Sequence, residues 1–187
     1  MKLFYRCFSL FLVLIICALC LYAELSFYDI SSSVVRLHVL ANSNTKEDQE
    51  LKLKVRDCVL KQAELLLSEV DNKEDSMTIL GENTSVFEKA AVECIISHGY
   101  DYDVQVTLGK CDFPTKSYKN VTLPQGEYDA LRVVIGSGLG DNWWCVVFPP
   151  FCLGDAAVSS DNPKDVTVKF KLVEIYNGLK KKLKSIW

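Results

Sequence analysis

Cys145 and the two histidines, His38 and His98, are the residues of this chain whose types suit nucleophilic chemistry. A thiolate nucleophile needs an imidazole within hydrogen-bond reach and a third group to orient that ring. The spacing supplies neither, and buried cysteine is more often inert packing. Asp101 and Asp103 alternate on one strand face, a pattern that suits solvation better than paired acid–base work. The run Gly136-Ser137-Gly138-Leu139-Gly140 has the look of a phosphate cradle. Such a loop should open a helix whose N-terminus faces the anion. Here Asn142-Trp143-Trp144 and a β-rich run follow, without the lysine of a P-loop, so the segment reads as a tight loop or hairpin. The cysteines and histidines lack zinc-binding spacing, and no metal or cofactor is expected.

Recognition is the better use for the unusual residues. Trp143 and Trp144 are adjacent, and neighbours on a strand point to opposite faces. One indole packing inward with the other near the surface is one arrangement. Burial of both under Pro149-Pro150 is the other. An exposed indole would give a partner much contact area at low entropic cost. The candidate contact residues are Gly138, Gly140, Asn142, Trp143 and Trp144, with Asn42, Ser43 and Asn44 as a second patch. Glycines admit close backbone approach, and the Asn142 amide both donates and accepts.

The elements that must hold these residues follow from periodicity. Val34 to Leu40 (VVRLHVL) is a β-branched run ending in the turn-forming Ala41-Asn42-Ser43-Asn44. Thr45 and Asp48 make a capping box for a long amphipathic helix carrying Leu51, Val55, Val59, Ala63 and Leu66. Asp71 to Asp75 reads as a polar break, and Ser85 with Glu88 as the cap of a second helix stopped at Gly99. Tyr102 to Leu108 alternates as a half-buried strand; Tyr128 to Ile135 and Trp143 to Phe148 are two more. These elements predict an α+β fold, with two helices packed on a mainly antiparallel sheet.

The ends have a different character. Lys2 and Arg6 precede 17 uncharged residues, Cys7 to Ala23, which as a helix would span roughly 25 Å against a hydrocarbon core of about 30 Å. A basic start before an apolar run is the layout of an export signal. Residues 1–23 are therefore a signal peptide or a signal anchor, since neither Ala23 nor Cys20 offers a clean cleavage site. Residues 34–153 form the globular domain, 154–165 a linker, and 166–187 a lysine-rich amphipathic tail suited to an anionic membrane surface or to packing on the body. Residues 24–163 hold 12 Lys/Arg against 22 Asp/Glu, and so acidic a body is a poor match for nucleic acid. Five of the eight cysteines lie beyond the leader, so at least one stays unpaired within the chain. The Pro149-Pro150 turn makes Cys145–Cys152 the candidate disulfide, with two buried thiols as the alternative.

Two segments resemble a known family. Val35 to Leu60 (VRLHVLANSNTKEDQELKLKVRDCVL) and Leu123 to Cys152 (LPQGEYDALRVVIGSGLGDNWWCVVFPPFC) are similar to the hallmark blocks of stage II sporulation protein R, and they occur in the same order after an apolar N-terminus. The resemblance implies a protein of endospore-forming bacteria, exported from the forespore into the space between the two membranes. There it would activate a membrane-embedded aspartic-type protease of the mother cell, which processes the precursor of sigma factor E. It implies no catalytic residues. The other readings open to the residues are a cell-wall or thiol-dependent enzyme using Cys145, and a membrane-attached structural adaptor.

Overall fold

The computed structural model describes residues 2–118, 122–149 and Leu183. The described residues fall into two compact units, one of 31–113 and 127–149, the other of 2–30 and 114–126. The second unit contains most of helix α1 (Lys2–Ser33) and the short antiparallel pair β3 (Lys116–Ser117) and β4 (Thr122–Leu123). Helix α1 runs ten residues beyond the uncharged segment ending at Ala23, and Phe4–Ser33 is long and apolar enough to cross a membrane. It fits a signal or an anchor segment. The 154–165 linker lies outside the described residues. So does the 166–187 tail apart from Leu183, which is helical and exposed.

The first unit is the α+β body. Its sheet has the order β2 (Val104–Phe113), β5 (Gly126–Ile135), β1 (Val35–Leu40), β6 (Asn142–Phe148). The sheet is mainly antiparallel, with β1 running parallel to β5 and antiparallel to β6. All six residues of β1 are buried, because neighbours flank it on both edges and side chains cover both faces. A strand in that position reads as a continuous apolar run rather than an alternation. Leu37 and Val39 join the helix-side core with Leu131, Val133, Cys145 and Val147; Arg36 and His38 point to the other face.

Helix α2 (Lys46–Leu67) begins where its capping signal stands: Thr45 Oγ1 accepts the Asp48 N–H at 3.3 Å, a contact worth about 1 kcal/mol. Its buried stripe of Leu51, Val55, Val59, Leu60, Ala63 and Leu67 lies against α4 (Thr84–Ser97) and the sheet.

The polar break at 71–75 is instead the start of a third body helix, α3 (Lys73–Glu82). Asn72 Oδ1 accepts the Asp75 N–H at 2.8 Å, with Glu74 and Asp75 in the positive first turn. Nor does Ser85 cap α4. The helix starts two residues earlier than that cap implies, at Thr84 behind Asn83, whose side chain donates backward to Ile79 O at 2.8 Å. One asparagine closes α3 and opens α4, so no separate capping box is needed. Gly99, at φ 81°, follows the α4 C-cap His98 as expected.

Candidate functional site

The 136–141 loop is not a hairpin. Because β1 lies between β5 and β6 in the sheet, the loop must cross the chain leaving β1, which is Ala41-Asn42-Ser43-Asn44. The two candidate patches are therefore one structure.

Six successive N–H groups fix the crossing. Gly136 donates to Asp103 O at 2.8 Å and Gly138 to Ile135 O at 3.1 Å. Leu139 donates to Asn42 O at 3.3 Å and Gly140 to Ala41 O at 2.9 Å. Ser137 donates to Asn42 Oδ1 at 3.0 Å, and Asp141 to Asn44 Oδ1 at 2.6 Å. An anion cradle works through unoccupied N–H groups, and here each one is already engaged. Gly136 is required by contact as well as by φ, and Gly140 by contact. A Cβ on Gly136, at φ 54°, would collide with Asn42 Oδ1; one on Gly140 would collide with the Ser43 carbonyl and sit 2.8 Å from Ala41 Cβ. Gly138 packs against Val134, where a Cβ would come within 2.6 Å of Cγ1.

Beneath the crossing lies a buried polar base. Asp48 Oδ2 accepts from Asn42 Nδ2 at 2.9 Å and from Ser43 Oγ at 2.6 Å, and Tyr102 also bonds to this carboxylate. Burial alone would raise the Asp48 pKa, but these donors outweigh it and hold the carboxyl below its usual range. The same bond to Asp48 raises the Tyr102 phenol. Lys52 is buried, with Nζ donating to Asp141 O at 2.9 Å and to Gln49 Oε1 at 2.6 Å; desolvation lowers its pKa despite the nearby Asp141 charge. Gln49 Nε2 closes the network on Ser43 O at 2.9 Å.

The two indoles do take opposite faces. Trp143 packs against the helix-side core, with the Arg56 guanidinium 4.4 Å from its ring centroid. Trp144 stacks on His38 at 3.9 Å between centroids and meets the edge of Phe113 at 4.7 Å. Next to them Arg36, fully buried, lies 4.1 Å over Phe113 and 4.9 Å over Tyr128, and its Nε donates to Cys145 O at 3.4 Å. His38 Nε2 is 2.7 Å from Asn142 Oδ1, while its buried Nδ1 has no hydrogen-bond partner. Burial lowers the His38 pKa, partly countered by the Asn142 bond and reinforced by Arg132, so the ring is neutral at pH 7.

Cys145 sits on the helix-side face while His38 points away from it, so they form no thiol–imidazole pair. Cys145 is disulfide-bonded, and Cys152, its expected partner, lies outside the described residues. His98 is engaged locally, with Nδ1 2.8 Å from Cys94 O. No cluster of three or more metal-ligating side chains occurs among the described residues.

The stage II sporulation protein R family model matches residues 31–158, from the end of α1 through the whole crossing and β6. The chain belongs to the stage II sporulation protein R family. Within it, the stage II sporulation protein R of Bacillus subtilis (strain 168) is 34% identical over 144 residues, which cover 75% of this chain. The chain spans 64% of that relative's length. No solved structure matches it. Both segments that carried the resemblance fall wholly inside the matched region, and the structure joins them at Asn42 and Gly140. Membership places the chain in sporulation.

Sequence reasoning missed Arg36, Gln49 and Lys52 altogether, and the part played by two more residues. Asp48 was legible only as a cap, yet its carboxylate gathers Asn42, Ser43 and Tyr102. Leu139 was legible only as one member of the glycine loop, yet it stands 82% exposed on the crossing.

Proposed function

We propose that this protein is an exported sporulation signal. In this reading it leaves the forespore through α1, reaches the intermembrane space, and activates a membrane-embedded aspartic-type protease of the mother cell by contact. That protease then processes the precursor of sigma factor E. The observation that carries the reading is the convergence of the two family segments on one pre-ordered crossing. Its N–H groups are all engaged internally, so the crossing is suited to being recognised rather than to binding an anion or turning over a substrate. Family membership and an N-terminal helix fit for export support it. The contact surface is the exposed rim of the crossing, Asn44, Asp141 and Asn142, held by Asn42, Ser43, Gly138, Gly140, Trp143 and Trp144.

Co-expression with the protease and the sigma precursor tests the proposal. Cleavage is expected only when this chain is present and carries α1. Equal cleavage with and without the chain would reject it.

A further inference from the structure

Leu139 is the one exposed large hydrophobic outside the helices among the described residues. A lone exposed leucine is ordinarily unremarkable. This one differs in its support. Its own N–H is bonded to Asn42 O, and each of the other N–H groups from Gly136 to Asp141 has an acceptor of its own. Its neighbours Gly138 and Gly140 bear no side chains, so the isobutyl group stands clear of the loop. With the backbone already ordered in this way, binding need not order the loop, and the burial of the apolar surface goes more fully into affinity.

We propose that Leu139 is the anchor of the partner contact, inserting into an apolar pocket on a protein surface whose border carries basic or amide donors. The border follows from charge. Asp103 and Asp141 are exposed at the base of the crossing, residues 136–142 contain no Lys or Arg, and Asn44 lies beside Asp141. Those carboxylates oppose insertion into an anionic bilayer, where basic neighbours would be expected. The proposal rests on the function above, which puts the pocket on the extracytoplasmic side of the protease.

The test uses the full chain co-expressed with protease and precursor, carrying Leu139→Asp, Leu139→Met, or a photoreactive diazirine residue at 139. With wild type promoting cleavage, Leu139→Asp is expected to accumulate normally and lower cleavage about thirtyfold, the size of a central anchor, while Leu139→Met retains most of it. The diazirine should give an adduct with the protease. Full cleavage with Leu139→Asp, or adducts only with lipid or a second copy of this chain, overturns the anchor. If wild type promotes no cleavage, the proposed function fails instead, and the diazirine adduct alone decides the anchor: an adduct with the protease upholds it, and adducts only with lipid or a second copy of this chain remove it.

Discussion

Asn42 uses its carbonyl, its amide oxygen and its amide nitrogen in different directions: to Leu139 and Ser137, to Ser137 again, and to Asp48. Asn42→Ala keeps the carbonyl but removes the amide, so the buried Asp48 carboxylate loses one donor and the exposed Ser137 N–H its acceptor. The variant should therefore lower stability by about 1–3 kcal/mol in chemical denaturation followed by tryptophan fluorescence. Gly140→Ala should be at least as damaging, because the obstacle is the Ser43 backbone carbonyl rather than a side chain that can swing away. Titration adds a pH signature. The unfolded chain protonates His38 near 6.5, which the folded chain resists, so stability should fall as pH drops below about 6.5, by no more than about 1.4 kcal/mol per pH unit. A second loss belongs to Asp48 and Asp129, whose folded carboxyls are held below the ordinary value of 3.8; their contribution is complete above that value and disappears as pH falls through the lower folded ones. Denaturation at pH 7.5, 5.5 and 3.5 separates the two, and His38→Gln should abolish the first step only. A decline that persists in that variant would show that another group titrates there.

At the scale of elements, α3 shows how a single side chain can dock a helix. Lys73 Nζ, at its first residue, reaches Ser31 O at 2.6 Å and Asp129 Oδ2 at 2.7 Å, and Lys110 shares the same carboxylate at 3.0 Å. Lys73 and Asp129 are both largely covered, so this pair is worth more than an exposed ion pair. Lys73→Met should weaken α3, raise the Asp129 pKa by removing its closer cation, and speed backbone amide exchange in residues 73–82 more than in α2. Uniform exchange across all three body helices would mean that Lys73 does not hold α3 in particular. The sequence showed no helix here because LysGluAspSer is polar; what makes it helical is the Asn72 cap and the burial of only Ser76 and Leu80.

For the whole molecule, the order β2-β5-β1-β6 is the decisive fact. It seats β1 between the two strands that the glycine loop joins, and so forces the loop over the 41–44 turn. Cys145 is disulfide-bonded, whereas Cys94, buried beside Cys58, has its thiol pushed up to about 12, chiefly by desolvation. Alkylation of the folded, unreduced protein should therefore leave Cys145 unmodified until reductant is added, and label Cys94 slowly even then. Immediate labelling of Cys145 without reductant would show the bond absent.

The sequence by itself determined the α+β class, the apolar leader, the long capped α2 and four main strands. Each depends on local periodicity or capping, which a chain carries in the order of its residues. It also marked Asn42, Ser43, Asn44 and the glycines, but as two separate patches. Only the tertiary structure decided that they are one crossing, because strand order depends on contacts between residues about a hundred positions apart, and those leave no periodic trace. The same long-range packing turned Asp48 from a cap into the centre of a network, put Arg36 inside an aromatic cage, and left Leu139 standing in solvent.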